Sequence, residues 1–187
     1  MQTTSAFACT PPQQDTKKFT ALIHAVRPIG RSRPSICRRN SASVLEFDGL
    51  LIGGSPASVL DDTPWISRLL ALIRSTHAAG LPIVGACFGH QAIAQALEAR
   101  SGPTPGPSSL APPKRITAPA PWIKRSLRHR LAAAHGEQVL DLPEGAEIIG
   151  EGPGCKVAAY RIGTQVFATQ YHPEMTPGFI AALVEIR

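Results

Sequence analysis

Two short, wholly apolar runs, each followed by a segment with helical spacing, place the strongest constraint on how this chain can fold. They cover residues 50–52 and 81–84. Between these runs, Pro64 begins a segment with apolar residues at helical spacing, and Gly80 ends it. A second helical stretch, over residues 91–99, follows the second run. Short apolar runs without polar alternation are typical of parallel strands buried on both faces. The order strand, helix, strand, helix therefore predicts an α/β fold with a mostly parallel central sheet.

A hairpin is predicted further along the chain. Residues 157–162 and 165–171 are rich in residues that favour strands, and Gly-Thr at 163–164 suits a two-residue turn between them. The second strand leads directly to His172. Beyond it, we expect a last helix that begins at Pro177.

The remaining segments predict little regular structure. Residues 1–18 are polar and without periodicity, so we expect a disordered tail before a single domain over residues 19–187. Residues 19–26 suit a short helix or a strand. We expect the run over residues 27–39, with its arginines and prolines, to be irregular. The proline-rich segment over residues 102–121 predicts a loop or a disordered insertion.

Composition argues against several classes of protein. No stretch of about 18 apolar residues could span a bilayer, and the N-terminus resembles no secretory signal, so we expect a cytoplasmic protein without a membrane partner. The four cysteines are far apart in sequence, and no metal or cofactor is implied. The net charge of +6 comes without interleaved aromatic residues, which favours a solvated basic surface over a nucleic-acid partner.

The second apolar run ends in Gly85-Ala86-Cys87-Phe88-Gly89, which predicts a cysteine nucleophile. The glycines allow the tight backbone of a nucleophile elbow, a strained turn between strand and helix that presents the side chain. The N-terminus of the next helix favours a thiolate, and the N–H of Phe88 would point toward an oxyanion on the attacked carbonyl. For this motif alone, a small buried cysteine without a catalytic role stays the alternative.

A cysteine nucleophile needs a base, and His172 is the best candidate. It follows a predicted strand, and Pro173 would rigidify its loop. Glu174 could hold the imidazole in one tautomer and support its positive charge. Cys87, His172 and Glu174 would then form a catalytic triad, although His-Pro-Glu alone is more often an ordinary loop.

Three motifs together resemble the class I glutamine amidotransferase family. They are Gly-Gly-Ser-Pro at residues 53–56, Gly-Ala-Cys-Phe-Gly-His-Gln at 85–91 and His-Pro-Glu at 172–174, in the family's order. Residues 135–139, followed by Leu-Pro at 142–143, are similar to a secondary motif of the family. The resemblance implies a flavodoxin-like three-layer α/β/α fold.

This sequence departs from the family's pattern in two segments. Family members usually open with an apolar strand that becomes central in the sheet, and residues 1–18 contain no such run. We therefore expect this fold to lack the usual first strand. Residues 102–121 supply prolines where the family has ordered strands beside the active site.

The resemblance also implies a reaction. Cys87 would attack the γ-carboxamide of glutamine, form a γ-glutamyl thioester and release ammonia, after which water would hydrolyse the thioester. His172 would act as general acid and base, oriented by Glu174. The N–H groups of Gly54 and Phe88 would form the oxyanion hole.

Other polar residues of these motifs have weaker assignments. By the resemblance, Gln91 would help to bind the glutamyl group, with an exposed helix residue as the alternative. For His90, an exposed helix residue is the favoured alternative, and for His135 a structural or peripheral role is favoured over a catalytic one.

Three functions follow as candidates. The first is glutamine amidotransferase-type hydrolysis of glutamine, with ammonia passing to a possible separate synthase partner, since we expect no attached synthase domain. The second is γ-glutamyl peptidase action on small peptides, which uses the same triad. The third, of a different class, is a non-catalytic binding protein on a degenerate scaffold.

Overall fold

The computed structural model describes residues 5–9, 31–35, 47–104, 115–116, 135–152 and 154–172. These residues form ten strands: β1 (Ser5–Cys9), β2 (Arg31–Ser35), β3 (Gly49–Ile52), β4 (Ile83–Ala86), β5 (Ser101–Pro103), β6 (Arg115–Ile116), β7 (Glu137–Val139), β8 (Ala146–Gly152), β9 (Cys155–Ile162) and β10 (Val166–Thr169). They also form two helices, α1 (Pro64–Ala78) and α2 (Phe88–Ala96). The element predicted over residues 19–26, Glu174 and the helix predicted from Pro177 lie outside the described residues.

Eight of these strands form one mixed sheet in the order β2-β1-β3-β4-β10-β9-β8-β6. Parallel pairing joins the five strands from β2 to β10, whereas β9, β8 and β6 extend the sheet antiparallel. The strand order reverses between β1 and β3. Ligands of open α/β sheets bind outside the carboxyl ends of the strands at such a reversal. The predicted α/β class, with a mostly parallel central sheet, agrees with this arrangement.

The expectation that the fold lacks a first strand is wrong. Ser5–Cys9 forms β1, which pairs with β2 on one side and β3 on the other, so a disordered tail over residues 1–18 is not found at residues 5–9. The run is short and holds one large apolar residue, Phe7, so its local pattern is weak. Backbone pairing with two parallel neighbours overrides that pattern. Similarly, the run predicted to be irregular contains β2.

The two apolar runs form neighbouring parallel strands, as predicted. β3 and β4 pair directly, with Leu50 opposite Ile83 and Ile52 opposite Gly85. The side chains of Leu50, Ile52 and Ile83 are buried in the core. Burying an aliphatic side chain of this size stabilises a fold by roughly 1.5–3 kcal/mol. These strands therefore anchor the loops that follow them.

Helix α1 starts and ends where the sequence predicts. Pro64 occupies its first turn, and Gly80 follows its last turn with a φ of +71°, in the left-handed region. Its buried face includes Ile66, Leu69 and Ile73, which pack into the main core. This spacing is the apolar periodicity visible in the sequence.

Helix α2 begins three residues earlier than predicted, at Phe88, directly after Cys87. It is almost wholly buried, and its alanines allow close packing against the sheet and α1. The rings of Trp65 on α1 and Phe88 on α2 pack with centroids 5.7 Å apart. Within the described part of the chain, neither helix is long and apolar enough to cross a membrane.

The predicted hairpin is confirmed as β9 and β10, with one difference in its turn. Ile162 pairs with Val166, so the connection has three residues, 163–165, rather than two. Gly163 takes a φ of +51°, which side chains rarely adopt. β10 also pairs in parallel with β4, and this pairing joins the hairpin to the strand that carries the cysteine.

The proline-rich segment contains regular structure that the sequence did not predict. Its first residues belong to β5, which pairs antiparallel with β7, and Arg115–Ile116 forms β6 beside β8. Pro103 lies at the end of β5 in a two-stranded sheet, where a missing N–H is tolerated. The prediction of a structureless insertion is therefore wrong at these residues, whereas residues 105–114 lie outside the described part.

Candidate active site

Cys87 occupies a strained turn between β4 and α2. Its φ of 53° and ψ of −106° lie outside the regions that side-chain-bearing residues favour. Two backbone hydrogen bonds hold this geometry: the N–H of Cys87 donates to Thr169 O at 2.8 Å, and its carbonyl accepts from Gln91 N at 3.2 Å. Backbone strain held by its surroundings is typical of functional positions. The nucleophile elbow predicted from the sequence has this geometry.

The loop after β3 lies directly against the first turn of α2. Gly89 N donates to Gly53 O at 3.2 Å. A Cβ on Gly89 would collide with the backbone carbonyl of Ile52, so only glycine permits this approach. The close approach brings Gly54 to the edge of the sheet that carries Cys87.

His172 reaches the same edge from β10. Its side chain is 7% exposed, and a Cβ on Gly54 would lie 2.8 Å from His172 Cε1. β10 is the parallel neighbour of β4, with Thr169 opposite Ala86. The structure therefore brings three predicted site residues, Gly54, Cys87 and His172, to the carboxyl ends of three adjacent strands.

Two other predicted site residues also lie at this edge. Phe88 and Gln91 occupy the first turn of α2, and both side chains are buried. Burial of Gln91 excludes the alternative of an exposed helix residue. Glu174 lies outside the described residues, so its role in a triad stays a prediction.

A polar cavity of about 330 Å³ opens beside the cysteine. Its volume falls in the range of small-ligand pockets. The polar side chains that line it come from the loop after β3, the elbow and the segment at β7: Ser55, Ser58, Cys87, Gln91, His135 and Glu137. A small polar substrate can therefore reach the sulfur.

Two residues of the cavity wall were not predicted as site residues. Ser58 Oγ donates to Glu137 Oε1 at 2.5 Å, which joins the loop after β3 to β7. Glu137 is the one carboxylate among the residues that line this cavity. The sequence signal that could have found it is its place in the secondary motif at residues 135–139.

A third unpredicted residue, Gln170, contacts the sulfur itself. It is fully buried, and its Nε2 donates to Cys87 Sγ at 3.6 Å. Its Oε1 accepts from Gln91 Nε2 at 3.2 Å, and the same Nε2 donates to Glu137 O at 2.7 Å. A chain of hydrogen bonds thus runs from β7 through two amides to the nucleophile. Gln170 stands two positions before His172, so proximity in sequence was its only signal.

The histidine of the secondary motif lies at the cavity. His135 Nδ1 is 2.9 Å from Glu137 O and 3.0 Å from Thr104 Oγ1. Because a carbonyl oxygen only accepts, Nδ1 carries the hydrogen, and Nε2 of the neutral ring is an acceptor. Burial lowers the pKa of His135; the bond to Glu137 O opposes this shift, and the nearby His172 adds to it. The ring is therefore neutral at neutral pH.

His90 is neutral for a stronger reason. Its ring is fully buried on α2, packs on the ring of Tyr160 at 4.9 Å and makes no hydrogen bond of normal geometry. Burial first and the nearby His135 second lower the pKa of His90 to about 3, against smaller opposing effects of Gln170 and the Val157 backbone. His90 is therefore a buried, neutral residue, and the expectation of an exposed helix residue is wrong.

The family model of class I glutamine amidotransferases matches residues 19–181. The chain belongs to the class I glutamine amidotransferase family. The family predicted from the three motifs is therefore confirmed. Within the described residues, no group of histidine, cysteine and acidic side chains could hold a metal ion.

Named relatives include a γ-glutamyl peptidase and a GMP synthase. γ-Glutamyl peptidase 4 of Arabidopsis thaliana is 27% identical over 147 residues, which cover 75% of this chain and 59% of that protein. The glutamine-hydrolysing GMP synthase of Cytophaga hutchinsonii is 32% identical over 136 residues, which cover 68% of this chain and 25% of that protein. The amidotransferase chain thus spans less than two thirds of the length of these relatives.

Solved structures of the family have the same fold. A glutamine amidotransferase of Methylobacillus flagellatus matches with a TM-score of 0.81 at 22% identity, over 100% of this chain and 76% of that one. Another, from Thermotoga maritima, matches with a TM-score of 0.80 at 15% identity, over 100% and 83%. The predicted flavodoxin-like α/β fold is confirmed.

Proposed function

We propose that this chain is a cysteine-dependent hydrolase of the γ-glutamyl amide bond, with glutamine as substrate. The observation that carries the proposal is the strained elbow at Cys87, which lines a polar cavity, with the buried His172 shortly after the neighbouring parallel strand β10. A structural cysteine needs neither the strained φ nor an adjoining cavity. Membership of the class I glutamine amidotransferase family supports the same reaction.

The proposed reaction assigns a role to each of these groups. Cys87 Sγ, as the thiolate, attacks the γ-carbonyl carbon while His172 holds the proton taken from the thiol. The tetrahedral oxyanion accepts hydrogen bonds from the N–H groups of Phe88 and Gly54. When the C–N bond breaks, the nitrogen takes the proton from His172 and leaves as ammonia. Water, deprotonated by His172, then attacks the γ-glutamyl thioester, and glutamate leaves as the thiolate re-forms.

Glu174 has a supporting role in this proposal. A carboxylate bonded to the imidazole would hold His172 in one tautomer and stabilise its protonated form. Glu174 itself never takes the proton.

Glu137 gives the cavity its selectivity for the glutamyl group. Glutamine carries an α-ammonium group at the end opposite to its γ-amide, and Glu137 supplies a carboxylate in the cavity wall. Ser58 fixes that carboxylate by donating to Oε1. We therefore propose that Glu137 pairs with the α-ammonium group, by a charge-assisted hydrogen bond of the strong kind.

A second candidate is hydrolysis of γ-glutamyl peptides. Its chemistry differs only in the leaving group, an amino acid or peptide amine in place of ammonia. The observation that favours it is the similarity to γ-glutamyl peptidase 4, which covers 75% of this chain. In the glutamine reading, ammonia would pass to a separate synthase partner, an idea that rests on the similarity to GMP synthases. A cytoplasmic location suits either reading and stays a proposal.

The test measures glutamate release from glutamine and from γ-glutamyl dipeptides, with wild-type protein and a Cys87→Ala variant. We expect wild type to release glutamate and Cys87→Ala to release none while its circular dichroism stays unchanged. Cys155→Ala is the matched control, because Cys155 is a buried thiol that does not line the cavity. Absence of release from every substrate would favour the non-catalytic binding protein instead.

A further inference from the structure

The amide of Gln170 has one orientation that satisfies its neighbours. Gln91 Nε2 is a donor, because it bonds to the carbonyl oxygen of Glu137 at 2.7 Å. Its second hydrogen points to Gln170, whose facing atom must accept and is therefore Oε1, at 3.2 Å. The NH₂ group of Gln170 consequently faces Cys87 Sγ, at 3.6 Å.

A flipped Gln170 would be unfavourable on both sides. Its NH₂ would face the NH₂ of Gln91, and its carbonyl oxygen would face the lone pairs of the sulfur. Gln170 is fully buried, so water cannot reach its amide to relieve either contact. The hydrogen bonds to Glu137 and Gln91 thus decide which atom the sulfur meets.

A buried N–H donor favours the charged form of the sulfur. Hydrogen bonding to an ionised group stabilises that form, and more strongly where water is excluded. The neutral His90 supplies no cation at this side of the nucleophile. Gln170, whose amide is uncharged, is in hydrogen-bond contact with the sulfur.

We propose that Gln170 is a catalytic residue that stabilises the thiolate of Cys87 by donating a hydrogen bond to Sγ. Gln91 is a positioning residue that acts through Gln170, because both hydrogens of its amide are used inside the protein. Its Oε1 remains the atom that Gln91 can offer to a ligand. For turnover, this inference rests on the proposed γ-glutamyl hydrolase function; for the reactivity of the thiol, it does not.

The test measures the rate at which iodoacetamide alkylates Cys87, followed by peptide mass mapping from pH 5 to pH 10. In Gln170→Glu, the acceptor to Gln91 is kept, and the donor to sulfur becomes a carboxylate. We expect alkylation at pH 7 to slow by about tenfold or more, the order of effect of a hydrogen bond to a charged group. The rates of wild type and variant should converge at high pH, where the thiol ionises in both proteins.

A second variant keeps the test decisive if Gln170→Glu does not fold. Gln91→Met removes the hydrogen bond that orients the Gln170 amide and places no charge in the site. We expect alkylation of Cys87 at pH 7 to slow by about threefold, less than in Gln170→Glu, and the rates of variant and wild type to converge again at high pH. Gln138→Met is the matched control: Gln138 is also a buried glutamine, and its Oε1 has no hydrogen-bond partner among the described residues. Its alkylation profile should match that of wild type.

Two outcomes would overturn the inference. One is an unchanged profile in folded Gln170→Glu or, failing that variant, in folded Gln91→Met. The other is an equal slowing at every pH, because that pattern reports altered access to the sulfur rather than altered ionisation. If glutamate release were absent in wild type but the shifted profile were present, the proposed function would fail and the role of Gln170 would stand.

Discussion

Gly54 and His172 approach each other so closely that no side chain fits between them: a Cβ on Gly54 would lie 2.8 Å from Cε1 of the imidazole. The loop after β3 is thus one wall of the histidine's site. It is held there by the hydrogen bond from Gly89 N to Gly53 O. The position of the His172 imidazole therefore depends on Gly54, a residue with no side chain that could transfer a proton.

Gly54→Ala should displace the imidazole and slow turnover. Because the added methyl group would contact the ring, we expect kcat for glutamate release to fall by about 10- to 100-fold, as a misplacement of about 1 Å at a reacting group does. Urea unfolding should show a small change in stability. Gly136→Ala is the matched control for stability only, since its Cβ would have no neighbour within 4 Å among the described residues but Gly136 lines the cavity. Equal kcat values for Gly54→Ala and wild type would contradict the prediction.

Glu137→Gln should weaken substrate binding more than catalysis. The substitution keeps the shape and an acceptor for Ser58 but removes the negative charge offered to the α-ammonium group. We expect KM to rise by about tenfold or more, with kcat changed little, the pattern of an interaction made equally in ground and transition states. Steady-state kinetics on the active substrate measure both values. The exposed Glu144, changed to Gln, is the control; a fall in kcat at constant KM would assign Glu137 a different role.

His90 should make the fold sensitive to acid. Its pKa is about 3 in the folded chain, chiefly because of burial, and near 6.5 when the chain unfolds. The unfolded chain therefore binds a proton that the folded chain does not, so the contribution of His90 is complete above pH 6.5 and is lost as pH falls from there toward 3. The slope for one proton is about 1.4 kcal/mol per pH unit.

The measurement compares the free energy of unfolding of wild type and His90→Phe between pH 8 and pH 4. Phenylalanine keeps a ring against Tyr160 but cannot titrate. We expect the variant to show a flatter decline below pH 6.5 and a constant difference from wild type above pH 7. Parallel curves over the whole range would show that His90 does not cause the acid sensitivity.

Gly89→Ala should destabilise the fold as well as the site. Its Cβ would collide with the carbonyl of Ile52, and a β3 backbone held between two strands cannot move aside easily. We expect a loss of about 1–3 kcal/mol in the free energy of unfolding, as for other overpacked positions. Gly136→Ala serves as control here too, and urea denaturation gives both values. A variant as stable as wild type would show that the loop after β3 can shift.

The sequence predicted those parts of the fold whose signals are local. The apolar patterns of β3, β4 and α1 lie within a few residues of where these elements begin and end. The elbow at Cys87 was predicted from its flanking glycines. β1 escaped prediction because Ser5–Cys9 is stabilised by strands far along the chain, which no local pattern reports. The three-residue turn at 163–165 depends on strand register, which composition does not fix.

The site shows the same division. Cys87 and His172 were predicted from their motifs, whereas Gln170 and Ser58 were not. Gln170 contacts Cys87 across 83 positions of sequence, and Ser58 contacts Glu137 across 79. Such contacts exist only once the strands are ordered side by side. A residue whose role depends on contacts with distant parts of the chain has no local sequence pattern that identifies it.

The pairing of β4 with β10 sets the spacing between the segments that carry Cys87 and His172. Thr169 is opposite Ala86, and Thr169 O accepts from Cys87 N, so the two segments that carry Cys87 and His172 leave the sheet from one rung of a backbone ladder. A slip of one residue would move either group by about 3.3 Å and turn alternate side chains to the opposite face. Main-chain hydrogen bonds between β4 and β10 thus fix the spacing within the site. A substitution in either strand that keeps this rung should keep the spacing, except at Gly85, where a Cβ would meet the backbone of Gly89 on α2.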